Sequence, residues 1–148
     1  MRNAIAVTVI VLSLNTQAVA ECDDLPSEGV LSGSERFSRA HEVGHFNGES
    51  PSVVQDELAF WKEKSGTTCF YLRTVGPNRH ECEVIGALKE TKRSQFKFEN
   101  GRCSLTFQRS GTSINLTTSP GWERLGRGGV CTKDYCGLYG EVESGTFR

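Results

Sequence analysis

Six cysteines, Cys22, Cys69, Cys82, Cys103, Cys131 and Cys136, constrain this chain more than any other feature. They are even in number and all follow a segment patterned like a secretory leader. In an oxidising compartment that combination predicts three disulfides. The competing use of paired cysteines is a zinc ribbon, but no pair has the C-x2-C spacing that such a site uses. At about 2–4 kcal/mol each, three bridges supply a large part of the stability of a small domain. Spacing alone leaves their pairing open.

The leader reading covers residues 1–20. Arg2 is its positive start, Ala4 to Leu14 is an uncharged and largely apolar run, and Ala18-Val19-Ala20 offers a small-x-small cleavage site before Glu21. The apolar run is only about half as long as a bilayer core requires, and no later stretch is longer. The expected mature chain therefore has no membrane span and is periplasmic or secreted. Its length suits one domain. With 17 Lys+Arg against 18 Asp+Glu it lacks the basic excess of a phosphate-backbone binder, so nucleic acid is not the expected partner.

Past the leader, residues 21–51 are polar and rich in Gly, Ser and Glu, which predicts a loosely packed arm held through Cys22. A domain of residues 52–148 follows. Its opening, Pro51-Ser52, predicts a helix: Ser52 is a capping residue, Gln55 sits three positions later, and Val54, Leu58 and Trp61 recur at i, i+4, i+7 up to Ser65-Gly66. From Thr67 the period becomes two, and turn signals recur at the spacing of an antiparallel meander. Strands are expected near 67–74 and 80–88, joined through Val75-Gly76-Pro77-Asn78, then around Ile114 and Leu116, and near 139–147. A type I′ turn at Asn100-Gly101 would set Glu99 opposite Arg102, Phe98 opposite Cys103, Lys97 opposite Ser104 and Phe96 opposite Leu105. That register puts all apolar residues on one face. The expected fold is mainly β (α+β): a small disulfide-stapled antiparallel sheet or barrel with one packed helix.

The sharpest chemical motif lies in the polar arm. His41-Glu42-Val43-Gly44-His45 matches H-E-x-x-H, in which a helix holds zinc between two imidazoles while the glutamate activates the bound water. Over residues 41–48 it resembles the zincin metalloproteases, with Gly48 at the metzincin glycine. Pro51 stands where metzincins place their third ligand; Glu57 or Glu63 could serve as in glutamate-type zincins, and Asp56 as in aspartate-type ones. A zincin also needs a sheet before its motif helix, and residues 21–40 offer no evident strand. The alternative reading is thus a zinc hydrolase with Glu42 as catalytic base and His41 and His45 as ligands. The main reading is a noncatalytic arm with no metal or other cofactor.

Other catalytic arrangements are poorer. Six paired cysteines leave no free thiol for a nucleophile, and His80, beside Glu81 and Cys82, reads as a turn-end or edge-strand residue. No G-x-S-x-G elbow is present, and Gly126-Arg127-Gly128-Gly129 lacks the Lys-Ser/Thr of a phosphate loop. Asn115-Leu116-Thr117 is a formal glycosylation sequon.

Taken as a set, His80-x-Cys82 with Gly86, Cys103-x-Leu105-x-Phe107, and Tyr135-Cys136-Gly137 followed by Gly145-Thr146-Phe147-Arg148 are similar to small cysteine-stapled periplasmic β proteins of proteobacteria. The similarity spans residues 69–148. It implies a compact periplasmic β domain, and some proteins of that kind are lysozyme inhibitors. Ser110-Gly111 and Ser144-Gly145 stand outside the full pattern of the inhibitors' Ser-Gly loop, so no inhibitory residue is carried over. The expected function is that of an exported noncatalytic domain that binds another protein, such as an envelope-directed hydrolase. Residues 119–130 form the candidate presenting loop, with Trp122, Arg124 and Arg127 as binding residues of the types enriched at hot spots. The competing role for Trp122 is a core plug.

Overall fold

The structure is a computed structural model that describes residues 22, 34–45, 47–118, 131, 135–136 and 142–148. Its strands run in chain order: β1 (Glu35–Val43), β2 (Ser52–Lys62), β3 (Thr68–Val75), β4 (Glu81–Lys92), β5 (Gln95–Asn100), β6 (Cys103–Ser110), β7 (Ser113–Thr118) and β8 (Gly145–Phe147). Each pairs antiparallel with the next, giving one eight-stranded meander. The sheet curls until its first and last strands meet. There the Ser38 N–H donates to the Arg148 carbonyl at 2.8 Å, and the Arg148 N–H returns the bond at 2.9 Å. The result is a nearly closed barrel, an arrangement that leaves little sheet edge exposed.

Three disulfides staple it: Cys22–Cys69, Cys82–Cys136 and Cys103–Cys131. Helical structure is slight among the described residues: a 3-10 turn, Pro77–Arg79, and the helical positions Cys131 and Tyr135. No helix among them is long and apolar enough to cross a membrane.

The expected helix over residues 52–65 is instead strand β2. The spacing of Val54, Leu58 and Trp61 fits a helix, but Val54, Asp56, Leu58 and Phe60 also alternate at period two, and that alternation faces the barrel interior. Asp56 hides the pattern, because a charged residue stands at a core position: it is fully buried beside buried Leu58 and Phe60. The opposite face of β2 is also apolar at its far end. Ala59 and Trp61 are buried there, and Trp61 joins Cys22 and Cys69 in a second, smaller cluster on the outside of the barrel. A β-branched and aromatic segment with both faces covered favours a strand over a one-sided helix.

Residues 35–43 are likewise not part of a loose arm. They form β1, paired with β2 along their whole length from Glu35↔Phe60 to Val43↔Ser52. Strands β3 and β4 fall where the period-two pattern puts them. The last strand is confined to Gly145–Phe147 among the described residues, and the first part of the expected strand, 139–141, lies outside them.

The β5–β6 hairpin forms one residue later than the sequence reading places it. Asn100 pairs with Cys103, Phe98 with Leu105 and Phe96 with Phe107, so the turn is Gly101-Arg102. Gly101 has φ +57 and is the only positive-φ residue of that turn. One glycine in the first central position suits a type II′ turn, whereas type I′ demands positive φ twice. Moving the turn by one residue moves each partner by two, so the faces survive and the apolar residues stay inside.

The interior is packed with aromatic rings rather than hollow. Phe70 meets Phe98 and Phe107 at centroid distances of 5.1 and 4.9 Å, and Phe60 meets Phe107 at 5.5 Å. Gly86 makes room for this: a Cβ there would run into the Phe98 ring.

Candidate functional site

Because the strands alternate in direction, the two ends of the barrel differ. One end carries the connections 63–67, 93–94 and 111–112. The other carries 44–51, 76–80, 101–102 and the long segment 119–144, since β7 ends there and β8 begins there. Two disulfides pin that segment to its end of the barrel. Cys131 joins Cys103, the first residue of β6, and Cys136 joins Cys82, the second of β4. Cys131 and Val142 are buried in the main core, and Tyr135 packs edge-on against Phe98 at 6.1 Å. The Tyr135 hydroxyl accepts a hydrogen bond from Asn100 Nδ2 at 2.6 Å.

The same end holds a buried polar network built by β1, β2 and β3. Arg39 and Asp56 are directly opposed in the β1–β2 ladder. Asp56 Oδ2 accepts from Arg39 Nε at 3.0 Å and also from Nη2, while Oδ1 accepts from the Val75 N–H at 2.9 Å. Arg39 Nη1 reaches across the barrel seam to the Ser144 carbonyl at 3.1 Å, and the guanidinium lies over the Phe147 ring, 5.0 Å from its centroid. A Cβ at position 145 would meet that guanidinium, so any side chain there would oblige Arg39 to shift. A buried carboxylate is tolerated when paired and hydrogen-bonded in this way.

His41, two residues along β1, completes the group. Its Nε2–H donates to the Val75 carbonyl at 3.1 Å, and its Nδ1 lies 3.5 Å from Asp56 Oδ2 without hydrogen-bonding geometry. A small cleft lined by Arg39, His41, Asp56, Val75 and Glu143 opens beside them. Asn78 and Arg79 form the rim of this end with φ of 53 and 59, an uncommon conformation for two successive non-glycine residues. The Asn78 N–H ties that rim to the β1–β2 connection through the Gly44 carbonyl.

The H-E-x-x-H motif is extended rather than helical. His41 and Glu42 belong to β1, with Glu42 exposed, and His45 lies beyond the strand with its Nε2 on Ser52 Oγ at 3.0 Å. The two imidazoles therefore engage different partners instead of sharing one helix face. No group of three potential ligands from His, Cys, Asp and Glu gathers among the described residues. His80 is half-buried at the end of the 76–80 connection, where its backbone bonds to Pro77 and Gly76. Asn115 is exposed on β7 and accepts from Thr146 Oγ1 at 2.7 Å. Trp122, Arg124 and Arg127 lie outside the described residues, as does Gly126-Arg127-Gly128-Gly129.

Sequence reasoning missed the Arg39–Asp56 pair. The available signal was a lone aspartate within the alternation Val54, Leu58, Phe60, a position that demands a cation from a neighbouring strand.

On the outer face, Arg73 and Glu81 form an ion pair that holds the Glu81 carboxyl below its ordinary range, chiefly through the hydrogen bond from Arg73. Burial and the bond it donates to Glu83 push the Tyr71 phenol well above its ordinary value.

Comparison with known proteins gives no match: no family model, no curated protein and no solved structure is significantly similar to this chain.

Proposed function

We propose that this chain is an exported, noncatalytic protein-binding domain, and that its partner is an envelope-directed hydrolase such as lysozyme. The observation that carries the reading is the gathering of chain at one end of a rigid barrel. Segment 119–144 leaves from Thr118 and returns at Gly145, and disulfides at Cys131 and Cys136 fasten it to the strands beneath. A nearly closed, disulfide-stapled scaffold reorganises little on binding, which favours affinity. Trp122, Arg124 and Arg127 belong to that segment and are residue types that anchor interfaces. Three disulfides suit an oxidising, extracytoplasmic compartment.

The test is titration of the oxidised mature chain into a lysozyme assay that follows clearing of a cell-wall suspension. Clearing should stop near one equivalent, with no peptidoglycan or peptide bond cleaved by the chain itself. Unchanged clearing at tenfold excess would remove lysozyme as the target. Turnover of any peptide substrate that Glu42→Gln abolishes would overturn the noncatalytic reading.

A further inference from the structure

On the outer wall of the barrel, opposite charges are held apart beside the β1–β8 seam where the neighbouring strands bring them together. Arg73 stands opposite Glu83 in the β3–β4 ladder and pairs with Glu81, two residues along; Tyr71 stands opposite Ile85 and donates to Glu83 by the same diagonal step. Diagonal neighbours on adjacent strands lie about 7–8 Å apart, within reach of long side chains. In the β1–β2 ladder Arg36 stands opposite Ala59 and has Glu57 on that same diagonal, yet this pair stays open. Ser38 lies between Glu57 on β2 and Arg148, with which it exchanges backbone bonds across the seam. Among the described residues, the exposed side chains of Arg36, Glu57 and Arg148 make no ion pair or hydrogen bond.

What separates these charges is a depression of about 260 Å³, lined among others by Arg36, Ser38, Glu57, Ala59, Tyr71 and Arg148. It exists because Ala59, a small residue, is set between Arg36 and Tyr71 in the cross-strand row. The Tyr71 hydroxyl is already bonded to Glu83, so what Tyr71 has left to offer is the apolar surface of its ring. A concavity with an apolar floor and a few convergent polar groups is the usual form of a small-molecule site, and one below the range of about 300–1,000 Å³ suits an occupant of amino-acid size. Two guanidiniums on the seam side match a carboxylate, and the Glu57 carboxylate across the floor matches an ammonium. The geometry points to a site for a free zwitterionic α-amino acid with an aliphatic side chain. Its carboxylate lies between Arg36 and Arg148, its ammonium on Glu57, and its side chain over Ala59 against the Tyr71 ring. The site stands independently of the protein-binding reading.

The test is an amide NMR titration of the full oxidised chain with L-leucine, N-acetyl-leucine, which lacks the ammonium, and leucinamide, which lacks the carboxylate. Leucine should give saturable shifts centred on the amides of Arg36, Ser38, Glu57, Ala59 and Tyr71, and each derivative should bind at least fivefold more weakly. Arg36→Gln should weaken leucine at least fivefold and leave leucinamide within twofold, whereas Glu57→Gln should weaken leucine and leave N-acetyl-leucine within twofold. Both substitutions fall on exposed side chains without partners, so the fold should persist. Should either variant fail to fold, the two derivatives read the same charges from the ligand side on the parent chain. Absence of saturable shifts up to the solubility limit of leucine would overturn the inference, as would shifts centred elsewhere. So would N-acetyl-leucine binding as tightly as leucine, which would make the occupant a peptide carboxyl terminus, or leucinamide doing so.

Discussion

The two ends of this barrel are made from the same eight strands and are not alike. At the end bearing 63–67, 93–94 and 111–112 the chain turns round with local bonds such as Glu63 N–H to the Thr67 carbonyl and Ser113 Oγ to the Ser110 carbonyl, and one disulfide, Cys22–Cys69, lies beside it with Trp61. Among the described residues, Gly66, Ser94 and Gly111 have positive φ there, Ser94 being the one non-glycine. The opposite end collects two disulfides, the Arg39–Asp56–His41 network, successive left-handed residues at Asn78 and Arg79, and the departure and return of segment 119–144. Buried charge and backbone strain cost stability, and folds retain them where something other than stability is gained. The contrast supports the proposal that the plain end is scaffold and the elaborate end presents the binding segment.

Four substitution sets sharpen that contrast, in decreasing order of effect. Asp56→Ala leaves the Arg39 guanidinium without its carboxylate and the Val75 N–H without an acceptor, so chemical denaturation should show a loss of about 3–5 kcal/mol. Ser65→Ala, at the plain end, should stay within about 0.5 kcal/mol of the parent. Equal losses would erase the distinction between the ends.

Paired replacement of Cys103 and Cys131 by alanine should cost about 2–4 kcal/mol and abolish partner binding, because it unfastens the presenting segment. The same treatment of Cys22 and Cys69 should cost a similar amount yet leave affinity intact. Melting curves read the first effect and calorimetric titration the second.

Gly101→Val should destabilise by about 1–2 kcal/mol, since a β-branched residue is strained at φ +57 although space is open around that Cβ position. A variant as stable as the parent would mean the hairpin turn is not Gly101-Arg102.

The smallest effect concerns pH. The Glu81 carboxyl is held below its unfolded value by Arg73, so its contribution is present above the unfolded value and lost as pH falls through the lower folded one. As the pair is substantially exposed, Glu81→Gln should lower stability at pH 7 by less than about 1 kcal/mol, and the gap to the parent should narrow as pH falls below the ordinary carboxylate range.

How much of this was legible in the sequence follows from what each signal depends on. Period-two alternation from Thr68 to Leu116 is local, so the strands after residue 67 and the inward faces of Phe98, Leu105 and Phe107 can be read directly. Cysteine number and position give three bridges, but which sulfurs meet depends on the curl of the sheet. The β1 and β2 segments resist reading because Asp56 and Arg39 occupy core positions. Each looks like surface until the other is placed opposite it, and nothing local announces that pairing. His41-Glu42-Val43-Gly44-His45 misleads for the same reason: motif spacing presumes a helix, and β2 recruits the segment as a strand. Gly145 falls inside the expected last strand with no local reason to be glycine, and the Arg39 guanidinium across the seam supplies one.

The measurement that bears most directly on the central claim is the affinity of alanine variants at the two ends for lysozyme, determined by calorimetry on oxidised chain. Trp122→Ala and Arg124→Ala, on the segment fastened at the elaborate end, should each weaken binding at least tenfold, equivalent to about 1.4 kcal/mol. Lys64→Ala and Arg93→Ala, on the plain end, should change it less than twofold. Losses concentrated at Lys64 and Arg93, with Trp122 and Arg124 neutral, would contradict it.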